Sequence, residues 1–155
     1  MYVKIIYGDI MIRQITKQDK DEVIKLMKKF YNSDAVLHPV CELNFSNTVD
    51  EAINESPYVK IFVKEIDNEI TGYCQVSLSY SNEVGGICVY IEELMVKDKF
   101  QNLGIGKEFL KFVFSHFTDA KRFRLEVTKN NKRAISLYEK TGFKNLDYIQ
   151  MIIDK

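Results

Sequence analysis

Hydrophobic and polar residues recur with two different periods along this chain of 155 residues. In YVKIFVKEI (58–66) and ITGYCQVSLSY (70–80), apolar residues occupy every second position, which predicts two β-strands. The polar residues 67–69 between them predict the turn of an antiparallel hairpin. ICVYIEELMV (87–96) is apolar at nearly every position, and this pattern predicts a central strand that is covered on both faces.

Four further segments have apolar residues three or four positions apart, which is the spacing of amphipathic helices. These segments are residues 16–31, 48–56, 104–117 and 130–142. Thr16 and Thr48 begin capping patterns at the first two helices. The asparagines at 130 and 131 and the glycine at 142 form an N-cap and C′ pair around the last helix. Residues 38–47, between the first two helices, are predicted to be irregular.

The remaining apolar segments complete a sheet. Residues 1–15 and 122–127 each predict a strand, and the tail FKNLDYIQMIIDK (143–155) predicts one or two more. The resulting order is strand, helix, helix, three strands, helix, strand, helix and strand. This order predicts an α/β sheet of mixed direction with helices on both faces.

Composition narrows the class of protein. The length and the hydrophobic fraction of 46% are typical of one soluble globular domain, and a formal net charge of zero argues against a dedicated nucleic-acid binder. The three cysteines have no metal-ligand spacing, so neither a zinc site nor a disulfide framework is expected, and a reducing cytoplasm fits best. No apolar run is long enough to predict a membrane span, and no signal peptide is recognised.

A Gln-x-x-Gly-x-Gly sequence at residues 101–106, here called the glycine loop, follows the central strand and opens a predicted helix. In this context, exposed backbone N–H groups and the helix dipole can bind phosphate. A dinucleotide-binding fingerprint is excluded because Phe109 stands where its third glycine is required. A P-loop is excluded because Glu108 replaces the Ser or Thr of that motif. The spacing alone leaves both a phosphate site and a simple helix-capping loop open.

Two segments in the second half of the chain resemble the GNAT superfamily of acetyl-CoA-dependent N-acetyltransferases. They are VYIEELMVKDKFQNLGIGKEFL (89–110) and LEVTKNNKRAISLYEKTGF (125–143). The resemblance implies one domain over residues 1–155, with a central mixed, mostly antiparallel sheet of about six to seven strands and helices on both faces. Residues 1–10 have no counterpart in this resemblance. They form an N-terminal extension, or the chain starts at Met11.

The resemblance also implies where acetyl-CoA, the acetyl donor, binds. We expect the glycine loop to bind the pyrophosphate of acetyl-CoA. The end of the central strand is expected to pair with its pantetheine arm. The helix after residue 130 is expected to present its polar stripe to the same ligand. The expected cofactor-binding residues are Leu94, Met95, Val96, Gln101, Asn102, Leu103, Gly104, Ile105, Gly106, Lys107, Asn131 and Ala134.

Two glutamates interrupt the apolar central strand, and acyl transfer to an amine gives them a role. An alkylammonium has a pKa of about 10.4, so a base must remove its proton before the nitrogen can attack. By the resemblance, Glu92 is the base and Glu93 attracts the amine. Alternatively, one of them marks a strand bulge and points into solvent. Tyr138 lies on one helical stripe with Asn131, and it is either the acid that protonates the leaving thiolate or a core aromatic.

The sequence therefore predicts direct transfer of an acetyl group to a primary amine, with a small cationic acceptor preferred because of the acidic pair. His38 lies in the irregular segment that we expect to border the acceptor. The alternatives are a non-catalytic acyl-CoA-binding regulatory domain and an acetyltransferase for protein N-termini or lysines. The presence of both Glu92 and Tyr138 favours an enzyme, because a protein that only binds acyl-CoA needs only the glycine loop. We expect no nucleic-acid or membrane partner, and a homodimer is left open.

Overall fold

The computed structural model describes residues 11–155, so the predicted strand and extension over residues 1–10 lie outside it. The elements in chain order are β1 (Met11–Gln14), α1 (Lys20–Tyr31), α2 (Glu42–Ile53), β2 (Val59–Ile66), β3 (Glu69–Ser81), β4 (Gly86–Val96), α3 (Ile105–His116), β5 (Arg122–Leu125) and α4 (Lys132–Lys140). Short 3-10 turns precede α1, at Lys17–Asp19, and follow β4, at Asp98–Phe100.

Among the described residues, five strands form one mixed sheet in the order β1-β2-β3-β4-β5. β1 to β4 pair with one another antiparallel, and β5 runs parallel to β4. The predicted hairpin is confirmed, and Asp67 and Asn68 close it with positive φ angles of 49° and 61°. Such angles match the right-handed twist of the strands that the turn connects. The expected mixed, mostly antiparallel sheet is confirmed.

Helices cover both faces of the sheet, as the sequence predicted. On one face, α1 and α2 bury Val23, Met27 and Val49 against β2 and β3. On the other face, α3 buries Phe109 and Val113 against β3 and β4. Because both faces are covered, the middle of the sheet is apolar in consecutive positions.

The second helix begins earlier than the sequence predicted. Residues 42–47 were expected to be irregular and Thr48 was expected to begin the helix, but α2 runs from Glu42 to Ile53 and Thr48 lies inside it. Phe45, Val49 and Ala52 are buried along one face of this helix. Packing of this face on the sheet extends the helix through a segment whose own propensity is weak.

The predicted strands of the tail are wrong. Residues 143–155 contain no helix or strand, and the side chains of Ile149, Ile152 and Ile153 are 92%, 80% and 87% exposed. An apolar run has strand propensity, but a strand is stabilised by packing against a neighbouring strand, which the tail does not have here. The observed strand count is therefore lower than the predicted six to seven.

Candidate active site

The site lies where two neighbouring strands part. β4 and β5 pair in parallel from Cys88 and Arg122 to Ile91 and Leu125, where β5 ends. β4 continues to Val96 while paired with β3 on its other side. In residues 92–96, the backbone N–H and C=O groups that point away from β3 therefore face a gap between β4 and β5.

An extra residue in β4 separates the two glutamates. Gln75 of β3 pairs with Glu93, and the next residue, Val76, pairs with Ile91, so Glu92 is the additional residue of a β-bulge. The side chain of Glu92 is exposed, whereas Glu93 is only 6% exposed. The sequence left open which glutamate lies at a bulge, and the structure places Glu92 there.

Close contact between β3 and β4 keeps the end of β4 in place. A Cβ atom on Gly72 would lie 2.3 Å from the carbonyl oxygen of Met95. Any larger residue would push the two backbones apart, so the glycine is needed for this close approach. Nothing in the sequence singles out Gly72, because its partner strand becomes known only with the fold.

A cavity of about 400 Å³ occupies the gap between β4 and β5. Five chain segments line it, namely the end of α1, the end of β4, the loop and first turn of α3, the residues after β5, and α4. Of the predicted residues, it is lined by Glu92, Leu94, Met95, Val96, Gln101, Asn102, Gly104, Ile105, Gly106, Lys107, Asn131, Ala134 and Tyr138. The structure thus brings the proposed base, the proposed acid and the glycine loop to one cavity.

Three predicted site residues do not line this cavity. Leu103 points outward and is 64% exposed, and His38 is exposed in the connection between α1 and α2. Glu93 is buried on the other side of β4. Conversely, sequence reasoning missed several lining residues, including Lys29, Asp98 and Glu126. Only the tertiary arrangement brings these polar side chains to the cavity.

The glycine loop forms the end of the cavity that fits phosphate. Gly104 is the N-cap of α3 with a φ of +83°, and no heavy atom lies within 4 Å of the position of an added Cβ. The first helical hydrogen bond runs from the N–H of Glu108 to the carbonyl of Gly104, at 3.1 Å. The N–H groups of residues 105–107 therefore have no acceptor within the helix. Lys107 adds a positive charge at this end.

Gln101 connects the loop to the elements around it. Its side-chain amide donates to the carbonyl of Val96 at 3.0 Å and to the Asp98 carboxylate at 3.1 Å. Its side-chain oxygen accepts a hydrogen bond from Arg133 of α4. These bonds fix the loop between β4 and α4, so Gln101 orders the cavity in addition to lining it.

The carboxylate of Glu92 is suited to accept a proton. It accepts a hydrogen bond from the Ser77 hydroxyl on β3. Partial removal of water raises the pKa of Glu92, the nearby charge of Glu126 adds to this rise, and the hydrogen bond from Ser77 opposes it. A carboxylate with a raised pKa is a stronger base than an ordinary one.

Glu93 is enclosed by two tyrosines. The hydroxyl of Tyr31, at the end of α1, donates to it at 2.8 Å, and the hydroxyl of Tyr73 on β3 donates at 2.5 Å. Burial raises the pKa of Glu93, while the two hydroxyl donors favour its charged form. The carboxylate therefore connects α1, β3 and β4 beside the bulge.

Tyr138 presents a protonated phenol to the cavity. Its ring lies 5.8 Å from that of Phe143 in an edge-to-face arrangement, and burial raises the pKa of Tyr138 to about 12. On the same helix, the Asn131 side chain accepts a hydrogen bond from the Ala134 N–H at 3.1 Å, which confirms it as the N-cap. At neutral pH the phenol is a proton donor.

Comparisons with known proteins agree with this architecture. The model of the "Acetyltransferase (GNAT) family" matches residues 22–143. The chain belongs to this family, and it is an acetyl-CoA-dependent N-acetyltransferase.

A thialysine N-epsilon-acetyltransferase from Sus scrofa is 25% identical over 149 residues, which cover 90% of this chain and 86% of that protein. A possible acetyltransferase from Clostridium difficile 630 has the same fold, with a TM-score of 0.81 at 16% identity over 96% of this chain and 99% of that one. An aminoglycoside N-acetyltransferase in complex with CoA has a TM-score of 0.76 at 15% identity, covering 94% of this chain and 95% of that one.

Two further observations concern residues 11–155. None of their helices is long and apolar enough to cross a membrane. Within the same residues, no group of three or more His, Cys, Asp or Glu side chains could hold a metal ion.

Proposed function

We propose that this protein transfers the acetyl group of acetyl-CoA directly to a primary amine of a small cationic acceptor. The observation that carries this proposal is that Glu92, Tyr138 and the start of α3 line one cavity. The thialysine acetyltransferase and the aminoglycoside acetyltransferase, both named for acceptors with amino groups, support the choice of acceptor.

The donor is held along the length of the cavity. The free N–H groups of residues 105–107 and the side chain of Lys107 bind the pyrophosphate, because a helix N-terminus attracts negative charge. The open backbone groups of residues 94–96 pair with the pantetheine arm. Asn131 and Ala134 line the opposite wall of the cavity, on α4. The side chain of Leu103 is exposed outside the cavity, so this arrangement does not use it.

The chain then supplies a base, an oxyanion donor and an acid. Glu92 takes a proton from the acceptor ammonium, directly or through a water molecule, which leaves a neutral nitrogen. That nitrogen forms a bond to the acetyl carbonyl carbon while the N–H of Leu94 stabilises the oxyanion. The carbon–sulfur bond breaks, and Tyr138 donates its proton to the departing thiolate. The nitrogen loses its remaining excess proton to the phenolate, directly or through water, which leaves a neutral amide and restores Tyr138, and Glu92 releases its proton to solvent. His38 and Glu93 do not line the cavity, so this mechanism assigns them no step.

The oxidation state of the cysteines indicates the cellular compartment in which the protein functions. The structure leaves Cys41, Cys74 and Cys88 free, and Cys74 and Cys88 are buried in the sheet. Free thiols persist in a reducing environment, so we propose that the protein functions in the cytoplasm.

The test is to incubate the protein with acetyl-CoA and a panel of small amines, aminoglycosides and peptides. Thiol release and the mass of each acceptor are measured. We expect thiol release together with a mass increase of one acetyl group on small cationic amines. A regulatory domain would bind acetyl-CoA without amine-dependent thiol release. A protein acetyltransferase would modify the peptides and leave the small amines unchanged.

A further inference from the structure

We propose that Glu126 is a second acceptor-binding carboxylate, which selects amines that carry another positive charge close to the reacting nitrogen. This inference rests on the proposed acetyl transfer and specifies its substrate class. The sequence pointed to Glu92 and Glu93 as the acidic pair. In the structure, the two glutamates that line the cavity are instead Glu92 and Glu126.

The strand register places these two carboxylates together. Ile91 and Leu125 are the last paired residues of the parallel strands β4 and β5. Glu92 and Glu126 are the next residue on each strand, and neighbouring strands lie about 4.8 Å apart. The two side chains therefore start next to each other at the point where the strands part. Both line the cavity that contains Tyr138.

Charges within the protein do not neutralise this pair. Asp98, a third acidic residue on the cavity wall, is ion-paired with Lys29 at 2.5 Å. Within residues 11–155, none of the ion pairs involves Glu92 or Glu126. The nearby charge of Glu126 raises the pKa of Glu92 and helps to raise that of the Tyr90 hydroxyl. Two adjacent negative charges thus face the acceptor position.

Glu93 cannot fill this role. Its two oxygens accept hydrogen bonds from Tyr31 and Tyr73 at 2.8 and 2.5 Å, and its side chain is 6% exposed. A ligand cation would have to displace both tyrosines to reach it. Glu126 is exposed to the cavity and needs no such rearrangement.

Proton accounting then identifies the acceptor class. When one ammonium of a diamine gives its proton to Glu92, the second ammonium keeps its charge and pairs with Glu126. Glu92 is then neutral, the reacting nitrogen is neutral, and the remaining ammonium balances the remaining carboxylate. A monoamine would leave Glu126 unpaired at this step. The preferred acceptor is therefore a compact diamine.

The experiment compares 1,3-diaminopropane with 3-amino-1-propanol, in which a hydroxyl replaces the second ammonium. The kcat/KM of each is measured for the wild type, Glu126→Gln and Glu139→Gln. Glu139 is an exposed α4 residue outside the cavity, so this control makes the same change in net charge. We expect the wild type to prefer the diamine, and Glu126→Gln to reduce that preference about tenfold or more through a higher KM for the diamine. Glu139→Gln should keep the preference.

Two results would overturn the role of Glu126. One is equal kcat/KM for both amines in the wild type, which would leave acetyl transfer itself intact. The other is an equal loss for both amines in Glu126→Gln. If no amine supports thiol release, the proposed function fails, and calorimetric titration of 1,3-diaminopropane into CoA-loaded protein decides the inference separately. Diamine binding that Glu126→Gln leaves unchanged in that titration would contradict it.

Discussion

One additional residue in β4 gives two adjacent glutamates opposite environments. The bulge turns Glu92 toward the cavity, while Glu93 is buried between the hydroxyls of Tyr31 and Tyr73. Burial of a carboxyl group favours its neutral form unless charged or hydrogen-bonding partners compensate. We therefore assign the chemistry to Glu92 and an effect on stability to Glu93.

The burial of Glu93 predicts a pH dependence of stability. Its pKa is raised in the folded protein above the ordinary value of 4.5. Between these two pKa values, the unfolded chain releases a proton that the folded protein keeps, so wild-type stability falls as the pH rises through this window. Glu93→Gln removes this contribution. We expect the free energy of unfolding of the wild type, minus that of Glu93→Gln, to decrease as the pH rises above about 4.5.

Urea denaturation at a series of pH values measures this difference. Glu139→Gln, an exposed position on α4, serves as the control for the change in net charge. A difference that grows with rising pH would show that the two tyrosine donors outweigh burial and that the pKa of Glu93 is lowered instead.

Tyr138→Phe separates catalysis from packing at a second residue. The substitution keeps the ring that packs on Phe143 and removes the hydroxyl. If the phenol protonates the thiolate, the single-turnover rate of acetyl transfer should fall about 10- to 100-fold, because a thiolate can leave unaided but less readily. The melting temperature and acetyl-CoA affinity should stay near wild type. Tyr58→Phe, at an exposed tyrosine, is the control, and equal rates for Tyr138→Phe and the wild type would make Tyr138 a packing residue.

At the scale of elements, the turn into α3 connects backbone conformation with ligand binding. Gly104 has a φ of +83°, which a β-branched residue rarely adopts. We expect Gly104→Val to abolish most of the stabilisation by acetyl-CoA, which should reach roughly 2.7 kcal/mol for the wild type at 100 times its dissociation constant. Thermal melting with and without acetyl-CoA measures this effect.

A matched control removes the effect of backbone strain itself. Gly85, in the turn between β3 and β4, also has a positive φ of 63°, and no heavy atom lies within 4 Å of the position of an added Cβ. Gly85→Val should lower the melting temperature of the free protein and keep the full shift with acetyl-CoA. An undiminished shift in Gly104→Val would mean that the glycines only shape the turn.

Local patterns predicted the elements whose stabilising contacts are local. The hairpin at Asp67 and Asn68 and the capped start of α4 at Asn131 depend on residues close in sequence, and both are confirmed. The early start of α2 and the missing tail strands depend on distant packing, which no local pattern contains. The candidate site residues differ in the same way. The glycine loop could be recognised from neighbouring residues in the sequence, whereas Glu126 could be placed only when the pairing of β4 with β5 was known.

At the scale of the whole molecule, a chain of zero formal net charge separates its charges along one cavity. Lys107 stands at the end formed by the start of α3, while Glu92 and Glu126 stand where β4 and β5 part. An anionic donor and a cationic acceptor would therefore enter regions of opposite potential. Their reacting groups would meet between Glu92 and Tyr138.

Replacement of Glu92 tests this account most directly. Glu92→Gln keeps the shape of the side chain and removes the base. The measurement is the single-turnover rate of acetyl transfer to an accepted amine at saturating acetyl-CoA and neutral pH, with acetyl-CoA binding followed by thermal melting. We predict a rate about 10²- to 10⁴-fold below that of the wild type, with acetyl-CoA binding retained. An unchanged rate in Glu92→Gln would contradict the assignment of the base and of the cavity face on which the chemistry takes place.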